Sequence, residues 1–388
     1  MKILILEDDS SKLEAIESHI AGLSDKVNLF TCVSFQQFNS FVERERFDLI
    51  IVDLIVPVFD GDKDAVDVAD RVVRLAHDVE CLNKSTPIVA LTKYDYAAED
   101  NYRALNGQGV SIITYDEKGD WRKTLTDKFF ASMPDPTYDA IIVCALKKEA
   151  KAFEDAGYSV GPVHTQYGIE CREIAIGSFA GLIVSASRMG LVGAAIATAR
   201  AIDAFKPKIV CMSGICAGIA GEAKIYDVII TKICQQHDYG KWTSAGFQPE
   251  HYAVQLNHGL ELKIEAAIED PSFKMKVAAN MRLKKSEFPE GKEELDFDIF
   301  TAPTSSGNAV IADEVMANMI KGQRRKAAAF EMEAFAVYEA SRMAVGEPLF
   351  FCAKSVVDDG SQSKGDNFHR AAAILSAKTV YQIIEQVL

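Results

Sequence analysis

Residues 2–23 read KILILEDDSSKLEAIESHIAGL. The first five are almost wholly apolar, and a short continuous apolar run is what a strand buried on both faces requires. Acids and serines follow. Then Leu13, Ile16, Ile20 and Leu23 recur at helical spacing, giving one apolar stripe. Strand followed by amphipathic helix is one βα unit. Further strand signals stand at VNLF, LIIVDL, PIVAL and SIIT, so five βα units fill roughly 130 residues and predict a doubly wound parallel sheet.

Two prolines and an aspartate in MPDPT mark a linker. The expected division is a first domain over 1–132, a linker over 133–137 and a second domain over 138–388. The second stretch is again α/β. DAIIVCAL, GLIVSAS, KIVCMSG, DVIITKI and PLFFCAKSV read as strands. KKEAKAFEDAG, GAAIATARAIDAF, AAAFEMEAFAVYEAS and FHRAAAILSAKTVYQIIEQVL read as helices. Residues 245–300 read as polar and irregular, a surface excursion.

A chain of 388 residues, 48% hydrophobic and 25% charged, suits two domains with a core each. A net charge of −14 argues against a nucleic-acid footprint, which needs a basic face. No apolar run reaches the length of a membrane span. The start, MKILILEDDSS, sets charges directly behind its apolar residues and offers no small-residue cleavage site, unlike a secretory leader. The eight cysteines are scattered without a CxxC pair and read as small buried hydrophobes in a reducing compartment. A cytoplasmic protein is expected.

Glu7, Asp8 and Asp9 follow the first strand, Asp53 the third, and Thr92 ends the fourth. The carboxyl ends of parallel strands share one rim, where ligands bind. Carboxylates gathered there repel unless a cation joins them, and hard oxygen ligands suit Mg²⁺. Asp9 or Ser10 is also placed to cap the next helix. LILEDD, VDLIVP and ALTK together resemble the receiver domain of bacterial response regulators over about residues 1 to 130. The resemblance implies that Asp53 is phosphorylated, that Glu7, Asp8 and Asp53 hold Mg²⁺, that Thr92 is the switch hydroxyl, and that a sensor histidine kinase is a partner. That family carries Lys then Pro after its fifth strand; here Tyr115 and Asp116 stand there, with Lys118 nearby.

In the second domain Glu331 and Glu333 interrupt an apolar run. Buried carboxylates need partners. One can cap the helix; the other can face a cleft, where its two oxygens match a vicinal diol. Glu149 follows the first strand of this domain and Asp358 and Asp359 follow a late one, with glycine-rich turns at 187–193 and 213–221. IIVCALKKEA, SRMGLVGAAIATARAI, CMSGICAGIAG, YDVIIT, SGNAVIAD, FEMEA and AKSVVDDG resemble, in order, the nucleoside phosphorylase and nucleosidase superfamily. They are most similar to its methylthioadenosine/S-adenosylhomocysteine nucleosidase branch. The resemblance covers residues 138–388, least so over 245–300, and implies an α/β/α domain with a mixed sheet.

By that resemblance Glu149 activates water, Glu333 grips the ribose diol, Met332 packs under the sugar, and Asp358 protonates the leaving purine. Val310 and Ile311 lie beside the base, with Val310 replacing an aromatic, and Ile215, after Gly214, stands where relatives often have Ser. For this division of labour burial should raise Asp358, while Glu149 accepts a proton. Arg188 keeps phosphate open as nucleophile; an acid at Glu149 favours water. The expected protein is an N-glycosidase, a purine nucleosidase under receiver control, with no cofactor in the second domain. A nucleoside phosphorylase and a nucleoside- or nucleotide-sensing module with little turnover are the alternatives. The resemblance also implies a homodimer through the second domain. His237 and Asp238 read as a structural turn or as part of the site.

Overall fold

In the computed structural model, which describes residues 1–62, 64–76, 78–93, 102–103, 105–116, 118–134, 137–359 and 366–387, the opening apolar run is strand β1 (Lys2–Leu6). It joins β2 (Asn28–Cys32), β3 (Leu49–Val52), β6 (Ile88–Thr92) and β7 (Ser111–Thr114) in a parallel sheet of order β2-β1-β3-β6-β7. Alternate residues face opposite sides. Ile3, Ile5, Leu49 and Ile51 pack with α1 (Ser10–Ala21) and α4 (Trp121–Ala131) through Ile16, Ile20, Trp121 and Phe129. Leu4, Leu6, Ile50 and Val52 pack with α2 (Phe35–Arg44) and α3 (Ala69–Ala76). Helices on both faces of a parallel sheet are the doubly wound arrangement the sequence predicts. The VDLIVP run does not continue as one strand: β3 stops at Val52, and β4 (Ile55–Pro57) pairs antiparallel with β5 (Ala65–Asp67) as a separate ribbon.

The chain divides into two units, Met1–Asp135 and Pro136–Leu388. Of the expected linker, residues 135 and 136 lie outside the described residues.

The second unit is built on a ten-stranded mixed sheet. Its strands are β8 (Ala140–Cys144), β9 (His164–Gln166), β10 (Ile169–Ile176), β11 (Phe179–Ser185), β12 (Ile209–Gly218), β13 (Val228–Gln236), β16 (Ala253–Gln255), β17 (Ile299–Ser306), β18 (Ala329–Glu331) and β19 (Leu349–Asp358); β14 (Gly240–Thr243) and β15 (Gly246–Pro249) form a separate hairpin. β12 pairs with β18 and β19, β13 with β17 and β19, and β17 with β18. Those five strands therefore close a ring, while β8, β11, β10 and β9 extend from it as an open sheet. The helices are α5 (Lys147–Asp155), α6 (Leu191–Phe205), α7 (His258–Glu269), α8 (Pro271–Ala278), α9 (Glu314–Gln323), α10 (Ala334–Arg342) and α11 (His369–Val387). α11 packs with α5, β12 and β19, and most of its length is buried.

Two sequence expectations are corrected. Residues 245–300 are not irregular: α7 buries Leu260 and Ile264, and α8 buries Phe273 and Val277, each at i,i+4 spacing. The dense charges of that segment lie on the other faces and mask the stripe. AAAFEMEAFAVYEAS is not one helix either. Ala329–Glu331 is strand β18, and α10 begins only at Ala334. The break is enforced by Glu331, whose Oε2 accepts the backbone N–H of Glu333 and of Ala334 and so caps the helix. Among the described residues no helix is long and apolar enough to cross a membrane.

Candidate active site

The carboxyl ends of β8, β11, β12, β17, β18 and β19 carry the loops that line one cavity of about 430 Å³. Glu149, Ile215, Val310, Ile311, Met332, Glu333 and Asp358 all line it, so side chains up to 209 residues apart in sequence (149 to 358) meet in one hollow. Gly214 does not line the cavity; it makes room. A Cβ there would lie 2.6 Å from Glu149 Oε1. Arg188 also stands outside the lining and is exposed on the turn before α6, while its neighbour Met189 reaches the cavity.

Glu149 sits in the first turn of α5 and is 2% exposed. Its Oε2 accepts Leu146 N–H at 2.9 Å and its Oε1 accepts Ile215 N–H at 3.1 Å. Burial pushes its carboxyl up to about 7, against the pull of Lys354 and with a further push from Glu333. Asp358, at the end of β19, is only partly buried, which differs from the expectation that burial would fall on Asp358. β19 runs buried until Val357 and surfaces at the cavity rim one residue later.

The two carboxylates of FEMEA part in role. Glu331 is structural: besides capping α10 it pairs with Ser306 Oγ and with Lys354 Nζ at 2.6 Å. Burial would raise its carboxyl, but Lys354, Ser306 and the backbone amides hold it below the ordinary range. Glu333 faces the cavity. Its Oε1 accepts Gly190 N–H at 2.8 Å, and its Oε2 meets Lys354 Nζ at 2.8 Å. Gly190 has φ of +100°, which aims its N–H at the carboxylate at little cost. Both Glu333 oxygens keep a lone pair directed elsewhere.

Lys354 is the residue that sequence reasoning missed. Burial opposes its charge, yet Glu331 and Glu333 hold the ammonium well above its ordinary value. Its position in FFCAKSVVDD was the available signal, since a lysine inside a fully buried strand requires buried anions. Lys148 and His369 were missed as well. They line the cavity, and Lys148 Nζ donates to His369 Nδ1 at 2.6 Å. His237 and Asp238 lie outside the lining: His237 is buried against Ser305 Oγ at 3.1 Å, and Asp238 accepts Asn308 N–H at 2.7 Å. They brace the loop that carries Val310 and Ile311. A Cβ on Gly307 would stand 2.1 Å from His237 Nε2, so the loop needs glycine there.

In the first unit, Glu7 and Asp53 are buried at the carboxyl edge of the sheet, whereas Asp8 is exposed. Asp9 is the N-cap of α1, accepting Ser11 and Lys12 N–H. Between Glu7 and Asp53 lies Lys12, fully buried, with Nζ 2.7 Å from Glu7 Oε2, 2.5 Å from Asp53 Oδ2 and 2.6 Å from Leu91 O. The Glu7 contact is an ion pair only, for Oε2 has no hydrogen bond. Burial and the neighbouring Asp53 push Glu7 up to about 7 although Lys12 draws it down. Thr92 is buried at the end of β6. Lys118 is exposed; the ammonium beside Asp53 comes from α1 instead.

A family model described as the phosphorylase superfamily matches residues 139–388. The uncharacterised protein y4jS of Sinorhizobium fredii is 23% identical over 435 residues, covering 100% of both chains. The ATP nucleosidase Cap17 of Escherichia coli is 24% identical over 206 residues, covering 52% of this chain and 40% of that protein, less than half its length. A 5′-methylthioadenosine/S-adenosylhomocysteine nucleosidase from Neisseria meningitidis, solved with methylthio-immucillin-A, aligns with TM-score 0.50 at 20% identity, covering 63% of this chain and 98% of that one. At such identity the likeness is one of fold.

Proposed function

The chain belongs to the phosphorylase superfamily, and from that premise we propose that its second unit hydrolyses the N-glycosidic bond of a purine nucleoside or a nucleoside 5′-derivative. The observation that carries the reading is the meeting of Glu149, Glu333 and Asp358 in one cavity. Water bonds to C1′ and passes a proton to Glu149. The C1′–N9 bond breaks with its electron pair going to the base, and Asp358 delivers a proton to the purine at N7. A base whose conjugate acid lies near neutrality suits the first transfer, and Glu149 is held at about 7. The free lone pairs of Glu333 accept hydrogen bonds from the two ribose hydroxyls, with the Lys354 ammonium paired to the carboxylate beneath them. Met332 and the apolar wall of Val310 and Ile311 take the sugar and base.

Water is favoured over phosphate because Arg188, the cation expected to hold phosphate, stands outside the lining. A cation in the cavity lining favours a particular substrate class. Lys148, whose Nζ donates to His369 Nδ1, brings positive charge to the cavity wall, which suits a nucleoside 5′-phosphate or polyphosphate. The activity named for the Escherichia coli relative is consistent with that class.

The first unit is read as a regulatory receiver with Asp53 as phosphoacceptor, Thr92 as its switch hydroxyl and a sensor histidine kinase as partner. The five-stranded order and the gathering of Glu7, Asp53 and β6 at one edge support this. Dimerisation through the second unit is proposed on exposed Met189, Val192 and Ile196.

A panel of nucleosides and nucleotides, with and without phosphate, tests the catalytic reading by release of free base. Glu149→Gln and Asp358→Asn must each lower it by about 10²-fold or more; base release only with added phosphate would make the protein a phosphorylase. Treatment with a small phosphodonor tests regulation, and unchanged kinetics and assembly would end that part.

A further inference from the structure

The sequence presents Glu7, Asp8 and Asp53 as a hard-oxygen set for Mg²⁺, but the side chains do not fit such an ion as they stand. Lys12 Nζ is within 2.7 Å of Glu7 and 2.5 Å of Asp53, and its third contact is Leu91 O at 2.6 Å. Its tetrahedral head is therefore engaged on three sides by oxygen. A divalent ion needs oxygens at roughly 2.1 Å. One that shared Glu7 and Asp53 would stand against a fully buried ammonium, where like charges are poorly screened. Asp8, the third expected ligand, is exposed, and it feels both the Asp53 carboxylate and the Lys12 ammonium.

The lysine is placed there by the fold. Lys12, Ile16 and Ile20 fall four residues apart and are the buried face of α1. Asp9 caps the helix and pairs with Lys93, fixing the first turn over the sheet edge. The Tyr115 ring, at the end of β7, lies 5.7 Å from Nζ and adds a cation–π contact.

We propose that Lys12 is the built-in cation of this acidic pocket, bridging Glu7 and Asp53 in the place of a divalent metal, so that metal enters only in exchange for the ammonium. The resting first unit is then metal-free, and any chemistry at Asp53 has to begin by displacing Lys12. The inference rests on the pocket alone and stands or falls independently of the nucleosidase reading.

The test is titration of the full chain with MgCl₂ at constant ionic strength, following two readouts. Trp121 fluorescence reports on the pocket, because Trp121 is buried and stacks on Tyr115 at 5.2 Å, whereas the second tryptophan, Trp242, is exposed and quenched separately by iodide. The unfolding midpoint is the second. In Lys12→Met the half-saturating Mg²⁺ should fall by about tenfold or more relative to wild type. A smaller ratio, or no saturation in either protein, overturns the proposal. If Lys12→Met does not fold, Lys12→Gln, whose side-chain amide can still donate a hydrogen bond to Leu91 O, is read against wild type by the same ratio, and the same outcomes overturn the proposal.

Discussion

Replacing Glu149 by Gln should make the protein inactive and, at alkaline pH, more stable. Burial lifts Glu149 from an ordinary 4.5 to about 7. At about 1.4 kcal/mol per tenfold, holding it ionised at pH 8 costs the fold ~3 kcal/mol. The folded chain binds this proton more tightly than the unfolded one. The cost is therefore absent below 4.5, grows as pH rises, and is complete above about 7. Gln carries no charge and escapes it. Gln has one acceptor oxygen, however, while Glu149 now serves both Leu146 N–H and Ile215 N–H. One buried donor loses its partner, at about 1–3 kcal/mol. The net is stabilisation on the order of 1 kcal/mol at pH 8, about 2–4 °C in Tm, and destabilisation on the order of 1 kcal/mol at pH 5, where slightly less than about 1 kcal/mol of the charge cost already acts. Base release should meanwhile drop by about 10²- to 10⁴-fold. Calorimetry at the two pH values, with chromatography of released purine, reads both. A Tm shift of the same sign at pH 5 and pH 8, or wild-type turnover, would refute the assignment of Glu149 as a buried, costly base.

Lys354→Met leaves Glu331 and Glu333 buried without their shared cation and should cost about 3–5 kcal/mol in urea unfolding; a loss under about 1 kcal/mol contradicts the network described. Gly214→Ala puts a methyl 2.6 Å from Glu149 Oε1, and a displaced base should lower kcat by about 10²-fold while circular dichroism stays native. Lys148→Ala and His369→Ala should each raise KM for nucleoside 5′-phosphates by about tenfold and leave the unphosphorylated nucleoside unaffected, which steady-state kinetics on both substrates will show. The acid limb of the wild-type kcat/KM profile should fall as pH drops below about 7, where Glu149 takes up its proton.

Much of this architecture was legible from apolar periodicity. KILIL and LIIV are buried on both faces, and that burial is why their pattern is continuous rather than alternating. Short strands such as β9, β16 and β18 carry three residues each and no pattern of their own; β18 was absorbed into the helical reading of its neighbours. Glu149, Glu333 and Asp358 were legible as candidates because they follow apolar strands beside glycine-rich turns, although acids at such places also cap helices, as Asp9 and Glu331 do. The cations that serve them were not. Lys354 and Lys12 are ordinary residues in composition, and only their positions, one inside a buried strand and one on the Ile16–Ile20 face, mark them as internal. Reading each lysine at a core position as a request for a buried anion would have found both.

The most direct measurement is a crystal structure of the protein with a purine nucleoside analogue whose glycosidic bond cannot be cleaved. The ribose diol should lie on Glu333, the purine N7 within hydrogen-bonding reach of Asp358, and a water between Glu149 and C1′. An analogue seated elsewhere, or seated in the cavity with its sugar turned away from Glu333 and Glu149, would contradict it.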